Sequence, residues 1–121
     1  MSATAWIAMS LLGGVGALAR FALDGIVAER AAGEFPFGTF TVNVTGAALL
    51  GLVTGVALGG DASLILVTGM LGSYTTFSTW MFETHQLATE GRGALIALNI
   101  VLSVIIGVAA VAAGRAIGGA F

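Results

Sequence analysis

Phe77 and Trp80 are three residues apart in an apolar part of the chain, next to a cluster of hydroxyl side chains. On a helix this spacing places both rings on one face. The edge of an aromatic ring carries partial positive charge, so rings presented edge-on can contact an anion without the trapping that a buried lysine would cause. The same spacing also occurs in ordinary packing. The pair therefore indicates a candidate anion contact, with packing as the alternative.

Four further polar side chains lie inside or at the edge of apolar stretches. Asn43 follows Thr39 by about one helical turn, and its amide offers two donors, either to an anion or to a neighbouring helix. Arg20 ends an apolar run, where it either extends to the membrane interface or forms a positively charged vestibule. Asn99 and Ser103 are four residues apart, which predicts a short polar track on one helix face.

The stretch from Gly69 to Trp80 is a poor helix interior because it concentrates glycine, serine and threonine. We therefore expect a helix that is broken at mid-membrane depth, with freed backbone carbonyls that face protein or a cavity. Carbonyl oxygens at such a break suit a hard cation. The stretch thus predicts both an irregular backbone and a candidate ion site.

The composition places these residues in a membrane. The chain has 121 residues, of which 58% are hydrophobic and 8% are charged, with four Arg, no Lys, six acidic residues and no Cys. A soluble domain carries about 25% charged residues, and nucleic-acid binding needs a basic surface. These values exclude an ordinary cytosolic enzyme, a disordered chain, a nucleic-acid-binding protein and thiolate or disulfide chemistry. Ser78 and His85 are about 10 Å apart on one helix, too far for a hydrolase pair, so we expect no enzyme.

Four runs with few charges are each close to the ~20 residues that a membrane-spanning helix needs. They predict an all-α integral membrane protein with one domain, residues 1–121, and spans at residues 3–23, 37–59, 62–88 and 93–115. Short linkers make consecutive spans antiparallel neighbours, and Asp24–Glu34 is expected to form the strongly polar loop. The N-terminal segment lacks the basic region of a signal peptide, so we expect the first span to be retained.

The arginines give only a weak orientation signal. Arg115 is predicted on one side of the membrane, and Arg30 and Arg92 on the other. Because orientation follows the excess of basic residues in short loops, so small a bias fixes no direction. A chain that inserts both ways can form an antiparallel homodimer, which this distribution suggests.

Glycines recur every four residues in the second predicted span. Gly51, Gly55 and Gly59 follow Ala47 at this interval and form two overlapping GxxxG motifs. Small residues in such a stripe let helix backbones approach closely in lipid, where packing rather than hydrophobic burial drives association. The stripe therefore predicts helix packing in a compact or oligomeric bundle, and no chemistry of its own.

Three motifs of this sequence together resemble those of the Fluc/CrcB fluoride channels. They are GGVGALAR at residues 13–20, GTFTVNVTG at residues 38–46, and GMLGSYTTFST at residues 69–79, followed by Glu83. The resemblance covers all four spans in order. It implies a dual-topology antiparallel homodimer with two separate fluoride pores and a central structural sodium ion at the dimer interface.

The resemblance also implies roles for individual residues. The backbone carbonyls of Gly72 and Thr75 from each subunit are expected to hold the sodium ion. The implied fluoride pathway consists of Phe77, Trp80, Asn43, Ser78, Thr79, Arg20, Asn99 and Ser103. Two of these depart from the family pattern, because Trp80 stands where Phe is typical and Asn99 stands where Tyr is common.

These features predict a fluoride-selective passive channel that exports toxic fluoride from the cytoplasm through the plasma (inner) membrane of a prokaryote. Passive conduction is favoured because the sequence has no ATP-binding motif and no titratable residue in mid-span for proton coupling. One alternative is a small multidrug-resistance-type dual-topology transporter, which needs a carboxylate in the first span that residues 3–23 lack. The other is a structural membrane subunit, which would leave Asn43 and the stretch Thr75–Trp80 unexplained.

Overall fold

The computed structural model describes residues 1–31 and 33–121, and the expectation of an all-helical protein is confirmed. The helices are α1 (Ala3–Arg30), α2 (Phe37–Val56), α3 (Gly60–Leu64), α4 (Gly72–Tyr74), α5 (Ser78–Thr89) and α6 (Gly93–Gly118). A π-helical segment, Ile65–Leu71, joins α3 to α4. These elements follow the four hydrophobic runs in order, and the third run contains α3, the π segment, α4 and α5.

The first helix is longer than the predicted span of residues 3–23. The hydroxyl of Ser2 caps its start by accepting the N–H of Ala5 at 3.1 Å, and the helix continues to Arg30. The expected polar loop Asp24–Glu34 is therefore mostly helical. Charged side chains end the apolar span but do not break a helix, which ends here only near Gly33, a glycine with φ of 145°.

The second helix is shorter than predicted. It ends at Val56, where Ala57 adopts a left-handed conformation with φ 59° and ψ 46°. Gly59, which we expected to continue the glycine stripe, lies outside α2, and no atom lies within 4 Å of the position its Cβ would occupy. Within the described residues of this chain the close contacts of the stripe therefore end at Gly55, and a packing role for Gly59 stays a prediction.

Helices α2 and α6 pack with their backbones in contact. A Cβ added to Gly51 would overlap the carbonyl of Val111, and one added to Gly55 would overlap that of Arg115. The relation is reciprocal, because Gly114 and Gly118 of α6 face the carbonyls of Ala48 and Leu52 in the same way. Since residue numbers increase together along both contacts, the two helices run parallel. The close approach depends on a second GxxxG motif in α6, which the sequence analysis did not single out.

An ion pair connects the segments that precede these two helices. Arg92, at the start of α6, contacts Glu34, which lies just before α2, and both side chains are 48% exposed. The pair lies at the end of the bundle where α2 and α6 begin. Because exposed ion pairs contribute little free energy, the pairing of α2 with α6 rests on the glycine contacts.

The third hydrophobic run packs mainly against α1. Gly16 of α1 faces the carbonyl of Met70, and Gly69 faces the backbone of Met9, so small residues again allow close approach. The run is not one regular helix. After α4 the backbone of Thr75 is extended, with φ −78° and ψ 160°, and α5 begins only at Ser78.

The helices fit a multi-pass membrane protein. Within residues 1–31 and 33–121, three helices are long and apolar enough to cross a membrane: α1, α2 and α6. The third hydrophobic run provides the remaining helical passage in shorter pieces. Large apolar side chains such as Leu18, Phe21 and Val108 are exposed on the single chain. Such a surface suits lipid or another subunit rather than water.

Candidate functional site

The segment between α4 and α5, residues 75–77, which we call the extended segment after the backbone of Thr75, is held by a side chain from α2. The amide nitrogen of Asn43 donates to the carbonyl of Thr76 at 2.8 Å, and the N–H of Thr76 donates to Asn43 Oδ1 at 2.8 Å. Asn43 thereby replaces the two hydrogen bonds that a continuous helix would give to the N–H and the carbonyl of Thr76. Of the two roles open for Asn43 from sequence, the contact between neighbouring segments is present, and one amide N–H remains for a further partner.

Thr76 also starts the next helix. Its hydroxyl oxygen accepts the N–H of Thr79 at 3.2 Å, which is the bond of a helix cap. Thr76 was not among the site residues predicted from the sequence. A hydroxyl residue three positions before a helical N–H, in a stretch of low helix propensity, is the signal that would have found it.

Because the N–H groups of Thr76 and Thr79 donate to side chains, two backbone carbonyls of the third run lose their helical hydrogen bonds. In a regular helix the N–H of Thr76 would bond to the carbonyl of Gly72, and that of Thr79 to the carbonyl of Thr75. Here the first goes to the side chain of Asn43 and the second to that of Thr76. The carbonyls of Gly72 and Thr75 therefore lose their usual helical donors. These are the two groups that the sequence analysis assigned to a cation.

Both residues line one open cavity of about 350 Å³, together with Asn43, Gly46 and Leu71. Gly46 contributes space, because a Cβ at this position would overlap the methyl group of Thr75. The cavity lies between α2 and the third run and opens on the outer surface of the single chain, where Gly72 is exposed.

Removal of the Thr76 hydroxyl tests the helix cap. We expect Thr76→Val, which keeps the branched shape, to lower the free energy of unfolding by about 1 kcal/mol, because the N–H of Thr79 loses its acceptor. Denaturant titration of the purified protein in detergent measures the loss. Thr76→Ser keeps the hydroxyl and is expected to stay close to the unmodified protein. Equal stability of the Val and Ser variants would contradict the cap.

A second cavity, of about 210 Å³, lies on the other side of the extended segment. Arg20, Asp24, Thr39, Thr76 and Thr79 are among the residues that line it. Arg20 is half-buried, so its side chain belongs to this cavity more than to open solvent. The hydroxyl of Thr39, which is 2% exposed, donates to the carboxylate of Glu83. The cavity thus combines one cation, the hydroxyl groups of threonines and one carboxylate, that of Asp24, at the junction of α1, α2 and α5.

The aromatic pair lies at the start of α5. The ring centroids of Phe77 and Trp80 are 5.8 Å apart and their planes meet at 76°, an edge-to-face arrangement. Phe77 is 70% exposed on the single chain, whereas Trp80 is half-buried. Ser78 lies next to this pair and is exposed. The two rings therefore contact each other edge to face, and most of the Phe77 ring lies on the surface of the single chain.

Trp80 connects this pair to α6. Its indole N–H donates to the backbone carbonyl of Asn99 at 3.3 Å. Asn99 is 1% exposed and donates through its side chain to the hydroxyl of Thr84 at 2.9 Å. Asn99 Oδ1 and the hydroxyl of Ser103 are buried and have no hydrogen-bond partner within the part of the chain that the structure describes. Oδ1 of Asn99 can accept a further bond and the hydroxyl of Ser103 can accept or donate one, so the polar track stays a prediction that these two groups fit.

The predicted site residues fall into three groups around the extended segment. Arg20 and Thr79 share one cavity, and Asn43, Gly72 and Thr75 share the other. Phe77 and Trp80 contact each other, and Trp80 bonds to Asn99, beside Ser103. Within residues 1–31 and 33–121, the cavity beside Arg20 and the cavity beside Gly72 share no lining residue. Thr76, which lines the first cavity and bonds to Asn43 of the second, was missed from sequence, as was Thr84, which bonds to Asn99.

This geometry defines a small multi-pass helical membrane protein in which one side chain of α2 binds the residues between α4 and α5. A family model described as CrcB-like protein, Camphor Resistance (CrcB), matches residues 7–115. The chain therefore belongs to the CrcB-like family.

Curated relatives cover most of the chain. A Mycobacterium tuberculosis protein named fluoride-specific ion channel FluC 2 is 51% identical over 110 residues, which are 91% of this chain and 87% of the relative. A Maridesulfovibrio salexigens protein named fluoride-specific ion channel FluC is 40% identical over 111 residues, 88% of each chain. A Clostridium acetobutylicum protein named fluoride-specific ion channel FluC 2 is 41% identical over 96 residues, 79% of this chain and 82% of the relative.

Proposed function

We propose that this protein is a fluoride-selective passive ion channel. The observation that carries the proposal is the 51% identity, over 91% of the chain, to a relative named as a fluoride-specific ion channel. The cargo is a small and strongly hydrated anion. A selective pore must offer groups that replace its water and yet release it, which a narrow path lined by donors and ring edges can do.

The groups that such a path needs are present around the extended segment. The half-buried Arg20 supplies guanidinium donors to a cavity that Thr79 and the carboxylate of Asp24 also line, so an anion is held there by hydrogen bonds rather than by a net positive charge. Phe77 and Trp80 then offer ring edges, which carry partial positive charge. Asn43 keeps one free amide N–H, while Ser78, Asn99 and Ser103 add polar groups beside the rings. We assign the fluoride pathway to these eight residues.

The functional unit of this proposal is an antiparallel homodimer with two pores in the plasma (inner) membrane of a prokaryote, where it exports fluoride from the cytoplasm. Two features support an assembly of two chains. Phe77 is 70% exposed on one chain, so a ring that contacts fluoride needs another surface to complete its pore. The cavity beside Gly72 and Thr75 is also open on the single chain. A two-fold axis through that cavity would close it with a second copy.

The same cavity is our proposed site for a central sodium ion. The carbonyls of Gly72 and Thr75 have lost their helical donors to Asn43 and Thr76, and two chains would together present four such oxygens. A hard cation takes oxygen ligands of this kind. When bound, sodium would supply fixed positive charge at the dimer interface. Asn43 and Thr76 bind the N–H groups that would otherwise donate to these carbonyls, which leaves both carbonyl oxygens able to bind the ion.

Fluoride efflux from proteoliposomes tests the channel. We expect the purified protein to release fluoride rapidly down its gradient, as read with a fluoride electrode, and to release no chloride in a matched measurement. Phe77→Leu is expected to reduce the fluoride rate strongly because it removes a ring edge. Phe82→Leu is the matched control, since Phe82 lies five residues further along the chain, within α5, and is similarly exposed at 60%. Folded wild-type protein that releases no fluoride would overturn the proposal.

The sodium proposal has a separate test. Dimers are isolated in sodium and then transferred to buffer in which N-methylglucamine replaces sodium. Because a ligand that binds only the assembled state stabilises it, we expect faster exchange of subunits between labelled dimers without sodium. Equal exchange rates in the two buffers would count against a structural sodium ion while leaving the channel proposal intact.

A further inference from the structure

A closed ring of hydrogen bonds joins Trp80 to α6. The indole N–H of Trp80 donates to the carbonyl of Asn99 at 3.3 Å, the side-chain amide of Asn99 donates to the hydroxyl of Thr84 at 2.9 Å, and this hydroxyl donates to the carbonyl of Trp80 at 2.8 Å. The ring begins and ends on the same residue. It therefore fixes both the backbone and the side chain of Trp80 relative to α6.

The direction of each bond follows from the number of hydrogens available. The hydroxyl of Thr84 has one hydrogen, which it gives to the carbonyl of Trp80, so it can only accept from Asn99. The nitrogen of the Asn99 amide must therefore face Thr84, and its Oδ1 must face away, toward the buried position where it has no partner in the described residues. The carbonyl of Asn99 has two lone pairs, so it can accept the indole N–H in addition to its helical bond.

Of the groups in this cycle of hydrogen bonds, only the indole N–H would be lost if position 80 held a smaller aromatic side chain. A phenylalanine at position 80 would have no N–H and would be held by packing alone. A buried tryptophan N–H, by contrast, normally requires an acceptor, and in lipid an unpaired polar group is costly. The angle of the Trp80 ring, and with it the 76° edge-to-face contact with Phe77, is thus tied to hydrogen bonds outside the aromatic pair.

We propose that Thr84 and Asn99 are positioning residues that set the orientation of the Trp80 indole. Neither the hydroxyl of Thr84 nor the amide nitrogen of Asn99 needs to contact the ion for this role. Thr84 accepts a hydrogen bond from the side chain of Asn99, and the backbone carbonyl of Asn99 accepts the indole N–H. Thr84 therefore acts on the indole only through Asn99. Conduction then depends on Thr84 only when position 80 is tryptophan. The effect on conduction rests on the proposed fluoride channel, whereas the effect on the orientation of the indole does not.

Tryptophan fluorescence tests the positioning directly. The chain has two tryptophans, so Trp6→Phe leaves Trp80 as the only one, and Trp6 is 56% exposed at the start of α1, away from the site. In this background we expect Thr84→Val to lower the steady-state anisotropy of Trp80 because the ring loses its indirect support. Thr84→Ser should restore it. Thr89→Val is the matched control on α5, since the hydroxyl of Thr89 bonds locally to Gln86 and is exposed.

A double-mutant cycle tests whether Thr84 acts through Trp80. We expect Thr84→Val to reduce fluoride efflux about fivefold with tryptophan at position 80, and to have little effect after Trp80→Phe, as coupled neighbours do. An equal reduction in both backgrounds, or unchanged anisotropy in Thr84→Val, would overturn the proposal. If the wild-type protein conducts no fluoride, the channel proposal fails, and the anisotropy measurement still decides the positioning role.

Discussion

Asn43→Ala is expected to destabilise the protein strongly and to abolish fluoride efflux. Asn43 supplies both hydrogen-bond partners of the Thr76 peptide, each at 2.8 Å. Without it, an N–H and a carbonyl inside the membrane lose their partners. At about 1–3 kcal/mol for each unsatisfied group, the expected loss is about 2–6 kcal/mol. Denaturant titration in detergent measures the stability, and proteoliposome efflux measures the function.

Asn43→Asp separates the donor from the acceptor at this position. The carboxylate keeps the oxygen that accepts the N–H of Thr76 but places a second oxygen against the carbonyl of Thr76, where the amide nitrogen donates in the native chain. We therefore expect it to rescue neither stability nor efflux. Thr54→Ala is the control in α2, because the hydroxyl of Thr54 bonds only within its own helix, to Leu50 and Gly51. A fully stable and conducting Asn43→Asp variant would contradict the role of this amide.

The helical passages were predictable from the sequence because lipid excludes charged side chains and thereby marks each span. The helix ends were less predictable, since they depend on local backbone conformation. The left-handed Ala57 ends α2 before Gly59, although nothing in the composition at this position predicts it. Helix α1 runs past Asp24 because good helix formers, Ala28, Glu29 and Arg30, follow it.

The site was predictable in its residue types and less so in its contacts. Low helix propensity and the family motifs drew attention to the stretch that contains Thr75 and Phe77. The partner of Asn43 is 33 residues away along the chain, and no local pattern predicts such a bond. The contact of Thr84 could not be predicted for the same reason, because its hydroxyl bonds to the side chain of Asn99, 15 residues further along the chain. Tertiary contacts, rather than composition, connect the predicted residues.

Gly114→Ala is expected to disrupt the pairing of α2 with α6. A single added Cβ would overlap the carbonyl of Ala48 and lie 2.9 Å from the amide nitrogen of Leu52. Both are backbone atoms, so no side chain can rotate away and the helices must separate. Overpacking of this kind costs about 1–3 kcal/mol even where side chains can adjust, and the rigid backbone places Gly114→Ala at or above the upper value. Thermal unfolding followed by size-exclusion chromatography measures the loss of folded protein.

Gly107→Ala is the matched control, since Gly107 lies on the same helix with no atom within 4 Å of its Cβ position. Alanine favours helix over glycine by up to about 1 kcal/mol, so we expect Gly107→Ala to be neutral or stabilising. Gly51→Ala should lower the stability in the same way, because its added Cβ would overlap the backbone of α6. The double variant Gly51→Ala, Gly114→Ala should lose less stability than the two single losses added, because one displacement of α2 from α6 relieves both overlaps. Strict additivity, or a Gly114→Ala variant as stable as Gly107→Ala, would show that the glycines do not set the distance between these helices.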